Sequence, residues 1–243
     1  RATACNQDGK TSGMTAPNGP SQMECIRKAL VQARVTPDQV TYVEAHGTGT
    51  PLGDPIEVSA LQGVLGNRDP DAPACHMESV KGNIGHLETA SGVASLIKVV
   101  LMMQHGQIPP QRNFQTLNPN IEQIGLTLKI PTELRPWDVD GRPRIAGISG
   151  FGFGGTNAHV IVEGWPQPVV EQTPQFERTW QLATLSAHSA EALKTLAGMH
   201  AEHLARNPQL NLADVCHTLA VGRTHLPELL AFAVESTAKL AEQ

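Results

Sequence analysis

Apolar and polar positions alternate at two periods along this chain, and the changes of period mark its elements. Residues 1–6 are short and β-compatible, Asn6-Gln7-Asp8-Gly9 is a turn, and 9–20 is a loop rich in Gly, Pro, Asn, Ser and Thr. Met23, Ile26, Leu30 and Val31 recur every three to four residues and predict a helix from about Ser21 to Ala33. Thr36-Pro37-Asp38-Gln39 is a helix start with room for one turn. The run Val40–Glu44 then predicts a strand. Asp54-Pro55-Ile56-Glu57 repeats the start signal and opens a helix through about Leu65, followed by a polar loop over 67–73.

A short strand over 75–80 leads into a turn at Gly82–Gly85. The longest helix is predicted from about His86 to His105. Its start is rich in Ala90, Ser91, Gly92 and Ala94, small residues that let another backbone pack closely, so it is expected deep in a core. Residues 106–143 carry several prolines and little periodicity, which predicts a surface wrap. Arg144–Ser149 is a predicted strand, 150–155 a glycine run, and Ala158–Val162 another strand. At Trp165-Pro166 the composition turns Pro/Gln/Glu-rich, so 166–178 is expected to be a linker between a unit over 1–165 and a small α/β unit over 179–243. In that second unit the pattern predicts a strand at Gln181–Ser186, helices at about Ala190–Ala205 and Leu212–Val221, a β run at Leu229–Val234 and a helix start after it.

Composition narrows the function classes. The net charge of −5 offers no basic face for nucleic acid, and 4% aromatics gives few stacking platforms. No run approaches ~20 apolar residues, so no helical membrane span is expected. The four cysteines are widely spaced with no CxxC pair, which argues against a disulfide framework or a metal site and for a reducing, cytoplasmic setting. Only 17% of residues are charged, which predicts that part of the surface is covered. The chain opens on Arg1 without a start methionine or a signal peptide, as expected of a piece of a longer polypeptide or of a renumbered one.

The candidate chemistry lies in the turns. His46 stands in Glu44-Ala45-His46-Gly47-Thr48-Gly49-Thr50 and His86 in Lys81-Gly82-Asn83-Ile84-Gly85-His86. Each is placed where a strand breaks into glycine and then helix, so substrate can reach the imidazole. Taken singly, each also fits a histidine that merely satisfies hydrogen bonds at a strand end, and Lys81 fits an ordinary solvated lysine. Gly150-Phe151-Gly152-Phe153-Gly154-Gly155 lies between two strands and opens no helix, so it does not fit a dinucleotide loop. Its bare N–H groups suit either an oxyanion cradle or a plain hairpin. Cys5 lacks a helix N-terminus or a neighbouring cation to activate it and is expected to be a small buried apolar residue, as are Cys25 and Cys216 on helix bodies.

Together these motifs resemble the C-terminal half of a β-ketoacyl synthase, in the flavour of ketosynthase domains of modular type I polyketide synthases. The likeness rests on Glu44–Thr50 with Pro51-Leu52-Gly53-Asp54-Pro55-Ile56-Glu57, Val80–His86 with Leu87-Glu88, Gly150–Asn157 with Ala158-His159, Asn6-Gln7-Asp8-Gly9 and Thr15-Ala16-Pro17-Asn18-Gly19. Leu185-Ser186-Ala187 and Thr218–Arg223 resemble the ketosynthase-to-acyltransferase linker domain. The resemblance implies an α/β fold, the second half of a thiolase-like αβαβα layered fold followed by a small α/β linker domain. It implies decarboxylative condensation of an acyl-cysteine with a malonyl-type thioester on acyl carrier protein. His46 and His86 would stabilise the enolate, Lys81 would tune His86, and the Phe153 N–H and ring would serve as oxyanion donor and gate. Thr48 and Thr50 would contact the phosphopantetheine arm. No metal and no permanently bound cofactor are implied. The nucleophilic cysteine would come from the N-terminal half, and the other implied partners are the carrier protein, an acyltransferase domain and a second copy in a homodimer. The alternatives are a non-elongating carrier-binding or decarboxylase module, or a structural fragment inactive alone.

Overall fold

The computed structural model describes residues 1–11, 13, 16–123, 125–165 and 178–242. These fall into two compact units, Arg1–Pro168 and Val169–Gln243. All but the last residue of the expected linker, and Thr15 of the expected loop motif, lie outside the described residues.

The first unit is built on a five-stranded sheet. Its strands are β1 (Ala2–Gln7), β2 (Tyr42–Glu44), β3 (His76–Glu78), β6 (Ile145–Phe151) and β7 (Thr156–Glu163), in the order β1-β7-β6-β2-β3. β6, β2 and β3 run parallel, and β7 runs antiparallel to both of its neighbours, β6 and β1. Helices cover both faces, so the central strand β2 is buried along its whole length and β6 over its first five residues. Helices α1 (Gly19–Ala33) and α2 (Gly53–Leu65) bury Cys25, Ile26, Leu30, Leu61 and Leu65 against Val43 and Ile161. On the opposite face α4 (Ser91–His105) lays Val99 and Met102 on Ala146 and Ile148, with Trp137 and Tyr42 completing that core.

Local signals behave as their chemistry dictates. Asn18 caps α1 by accepting from the Ser21 N–H, and Thr36 and Gln39 form a reciprocal capping box around one 3₁₀ turn, Pro37–Gln39. Among its described residues the wrap over 106–143 contributes only two two-residue strands, β4 (Gln107–Ile108) and β5 (Arg135–Pro136), yet it drives Trp137 into the core, where its indole N–H donates to Thr41 Oγ1.

Four expectations about this unit are corrected. The Gly82–Gly85 turn is instead a short helix, α3 (Lys81–Ile84), ended where Gly85 takes φ +75°. The predicted helix from His86 is interrupted: Glu88 adopts the left-handed φ of +49°, a 3₁₀ turn spans Glu88–Ala90, and α4 begins only at Ser91. Its small-residue start is also not in a core, because no other described element of this unit packs on that side. Val93 is 61% and Ile97 55% exposed, and Ile84, Leu87, Leu96 and Leu101 share the exposed stripe. Cys5 is exposed, not buried, because alternate residues of a strand face opposite ways and it is Ala4 that points to the core.

The second unit pairs β8 (Gln181–Ala187) antiparallel with β9 (Glu228–Val234). The helices α5 (Ala190–Arg206), α6 (Leu212–Val221) and α7 (Thr237–Glu242) pack around Ala183, Cys216 and Val234. At 17 residues α5, not the helix after His86, is the longest among the described residues. No described helix is long and apolar enough to cross a membrane.

Candidate active site

The parallel pairing of β2 with β3 sets Glu44 directly beside Glu78, so the turns that follow the two strands leave the sheet side by side. One turn carries His46 and the other leads through α3 to His86. The imidazoles meet edge to face with ring centroids 5.4 Å apart and an interplanar angle of 82°. Phe151, at the end of β6, closes on His46 with centroids 5.9 Å apart.

Each histidine is held by backbone chemistry. Glu57, reaching from α2, accepts the His46 N–H at 2.7 Å on one carboxylate oxygen and the Gly47 N–H at 2.8 Å on the other. Gly47 has φ +47°, and a Cβ there would fall 2.7 Å from Ser79 Cβ, so glycine alone lets this turn press against the end of β3. His86 is fixed through its Nδ1, which accepts the Glu88 N–H at 3.0 Å. An accepting Nδ1 leaves the ring hydrogen on Nε2, free to donate to a ligand. The His46 Nδ1 is buried with no partner among the described residues.

Electrostatics keep His46 uncharged. Burial, and then the neighbouring Lys81 and His86, hold its pKa down to about 4 from an ordinary 6.5. The neutral form is therefore favoured by folding. That contribution is complete above pH 6.5 and is lost as pH falls from 6.5 through 4. Lys81 is itself lowered by burial, against the pull of Glu57 and Glu44. Burial raises Glu57 to about 7 from 4.5, opposed by its two N–H donors, so its contribution has the opposite sign: present below pH 4.5 and lost as pH rises toward 7. Replacing Lys81 by Met removes the cation that opposes imidazolium formation. An NMR titration should then find the His46 pKa moved up from about 4 toward 6.5. An unchanged titration would mean that Lys81 does not act on this ring.

The structure brings together His46, His86 and Lys81. Phe153 sits apart, at the tip of the β6–β7 hairpin, where its ring is 80% exposed. The tip is closed by Gly152 N–H to Thr156 O and Gly155 N–H to Gly152 O. Among the described residues the Phe153 N–H has no backbone acceptor, which leaves it available to a ligand. The run is thus a hairpin that opens no helix, and both of its readings, plain turn and oxyanion donor, fit the geometry. The Thr48 and Thr50 hydroxyls lie 3.4 Å apart, and Thr50 Oγ1 also accepts the Gly53 N–H at the start of α2. No cluster of metal-ligating side chains occurs among the described residues.

Two features of the site are not visible in the sequence. Glu57 stands there only as part of a helix start, since nothing local shows that its carboxylate reaches back to the His46 turn. Phe151 is one of two aromatics in a glycine run, and only the strand register reveals that it, and not Phe153, faces His46.

Comparison with known proteins places this geometry among relatives. The family model "Beta-ketoacyl synthase, C-terminal domain" matches residues 1–115, and the "Ketoacyl-synthetase C-terminal extension" matches 118–227. Polyketide synthase PksL of Bacillus subtilis is 40% identical over 100% of this chain, and erythronolide synthase EryA3 of Saccharopolyspora erythraea 46% identical over 90%. The chain spans only 6% and 7% of their lengths. Among solved structures, the ketosynthase from module 6 of the B. subtilis bacillaene synthase aligns with a TM-score of 0.77 and 39% identity, over 99% of this chain and 41% of that one. The oxazolomycin ketosynthase domain OzmH KS7 of Streptomyces albus aligns at 0.78 with 35% identity, over 99% and 42%.

Proposed function

The chain belongs to the β-ketoacyl synthase family of modular polyketide synthases, with its thiolase-like α/β fold, and from that premise we propose that it supplies the enolate-stabilising half of a ketosynthase active site. The observation that carries this reading is the pair of imidazoles 5.4 Å apart, with His46 held neutral by burial and the His86 Nδ1 accepting a backbone N–H. Decarboxylation of a malonyl thioester leaves its electron pair on the α-carbon, delocalised onto the thioester oxygen. Two N–H donors converging on that oxygen lower the barrier most in a dry site. A protonated His46 would give up its own proton to the enolate, so the depressed pKa suits the role. Carbon–carbon bond formation then follows when the carbanion attacks an acyl thioester, and the cysteine thiolate departs.

Within this reading Lys81 holds the field around the pair, and the Phe153 N–H donates to the oxyanion of acyl transfer while its ring gates the acyl pocket. Thr48 and Thr50 meet the phosphopantetheine arm of an acyl carrier protein. The nucleophilic cysteine belongs to the N-terminal half of the ketosynthase, which would also cover the exposed stripe of α4. The acyltransferase domain beyond the linker unit and a second copy in a homodimer complete the partners. The test is direct. The intact synthase containing this chain is given an acyl donor and malonyl-carrier protein, and the carrier arm is analysed by mass spectrometry. A β-ketoacyl product with release of CO2 is expected; release of CO2 without a lengthened chain would identify a non-elongating decarboxylase instead.

A further inference from the structure

Beneath the histidine pair lies a group of buried charges that the reaction as described does not use. Glu44 and Glu78 are cross-strand neighbours on β2 and β3, fully buried or nearly so. Like charges in that position repel. Lys98, from the sheet-facing side of α4, reaches between them, 2.9 Å from Glu44 Oε2 and 2.8 Å from Glu78 Oε2. The Tyr42 hydroxyl joins the same knot, donating to Glu44 Oε2 at 2.7 Å and accepting from Lys98 at 2.9 Å. The remaining Glu44 oxygen, Oε1, accepts the Val80 N–H at 2.6 Å. Val80 immediately precedes Lys81 and the short helix leading to His86. The Glu44 backbone, in turn, is two residues from His46.

We propose that the Glu44–Lys98–Glu78 chain, locked by Tyr42, is the positioning device that sets the Lys81–His86 segment against His46. The inference rests on the ketosynthase reading above and deepens it by assigning residues that touch no reacting atom. The Glu44 side chain belongs to the His46 strand and also grips the His86 segment. Its carboxylate can do both only while Lys98 offsets the neighbouring Glu78. With Lys98 gone, two buried carboxylates face each other. Glu78 takes up a proton or Glu44 moves, and in either case the Lys98 contact that fixes Glu44 Oε2 is lost and its hold on Val80 loosens. Misplacement of a reacting group by 1 Å can cost about 10²-fold in rate.

The experiment measures two steps separately in the intact synthase: acylation of the cysteine, which does not need the pair, and decarboxylation of malonyl-carrier protein, which does. Lys98→Met is expected to slow decarboxylation about tenfold or more while acylation stays within about twofold, and Lys98→Arg to restore most of the loss. Tyr42→Phe, which removes one hydroxyl and keeps the ring, is expected to slow decarboxylation selectively and by less. It decides the matter if Lys98→Met does not fold. Equal loss in both steps would reduce the cluster to a stability role and overturn the proposal, as would unchanged decarboxylation in Tyr42→Phe and Lys98→Met. His46→Ala in the same assay separates the two readings: if it leaves decarboxylation intact the ketosynthase assignment fails, whereas its loss beside an unaffected Tyr42→Phe and Lys98→Met sinks only the positioning chain.

Discussion

Replacing His46 by Ala in the intact synthase is expected to abolish chain elongation while leaving the cysteine able to accept an acyl group. The argument starts from the enolate. Its oxygen gains nearly a full charge as CO2 departs, and a donor aimed at developing charge in a water-poor site contributes about 3–4 kcal/mol to lowering the barrier, or about 10²–10³ in rate. On the proposed reading His46 is such a donor: burial, then Lys81 and His86, keep it neutral with its pKa at about 4, and its ring meets that of His86 edge to face. His86→Ala should cost a similar factor, and the double substitution little more than either, since both donors serve one oxygen and act as a unit. Decarboxylation of malonyl-carrier protein, followed by CO2 release, is the measurement. Near-normal elongation in His46→Ala would remove this residue from the mechanism.

The second large effect is expected at Glu57. Its two carboxylate oxygens each accept one backbone N–H of the His46 turn, so Glu57→Ala leaves two half-buried donors unpaired, at roughly 1–3 kcal/mol each when such a group is fully buried. The total expected loss of unfolding free energy is about 2–4 kcal/mol. Glu57→Gln keeps the size but offers only one oxygen, and its NH2 faces a second N–H, so it should be nearly as harmful as Ala. Urea unfolding measures the stability, and the same proteins should decarboxylate poorly because the His46 turn is no longer held. A Glu57→Gln protein with wild-type stability and rate would show that the turn holds itself. The raised pKa of the carboxylate gives an independent signature. In the parent protein the Glu57 contribution fades as pH rises from 4.5 toward 7, so the stability gap between parent and Glu57→Ala should narrow over that interval.

Much of the first unit is legible in the sequence because its signals are local. The capping box at Thr36 and Gln39, the periodicity over α1 and the proline at the start of α2 each act within a few residues, and the elements appear where those residues stand. The histidines are legible as candidates for the same reason: a strand breaking into glycine places a side chain at an element end whatever the rest of the chain does. The errors fall where a distant neighbour decides. Cys5 can be assigned to a strand but not to a face of it, and the small residues opening α4 are compatible with a buried start or with the exposed one found here. The break before α4 comes from backbone geometry at Glu88, whose left-handed φ turns its N–H onto His86. No residue type announces that.

The sequence by itself determined most of the longer elements, their order, and which strand ends carry imidazoles, because helix caps, periodicity and glycine breaks are properties of neighbouring residues. Only the tertiary structure decided that the His46 and His86 rings meet at 5.4 Å, that Glu57 and Glu44 hold the two turns, and that Phe151 is the aromatic beside them. Those outcomes depend on β2 pairing in parallel with β3 and β6, and strand pairing is a contact between segments far apart in the chain. The charge of His46 was likewise settled by the fold. An imidazole has no fixed state near neutral pH until burial and its neighbours choose one, and here the neighbours are a lysine and a second histidine delivered by another strand.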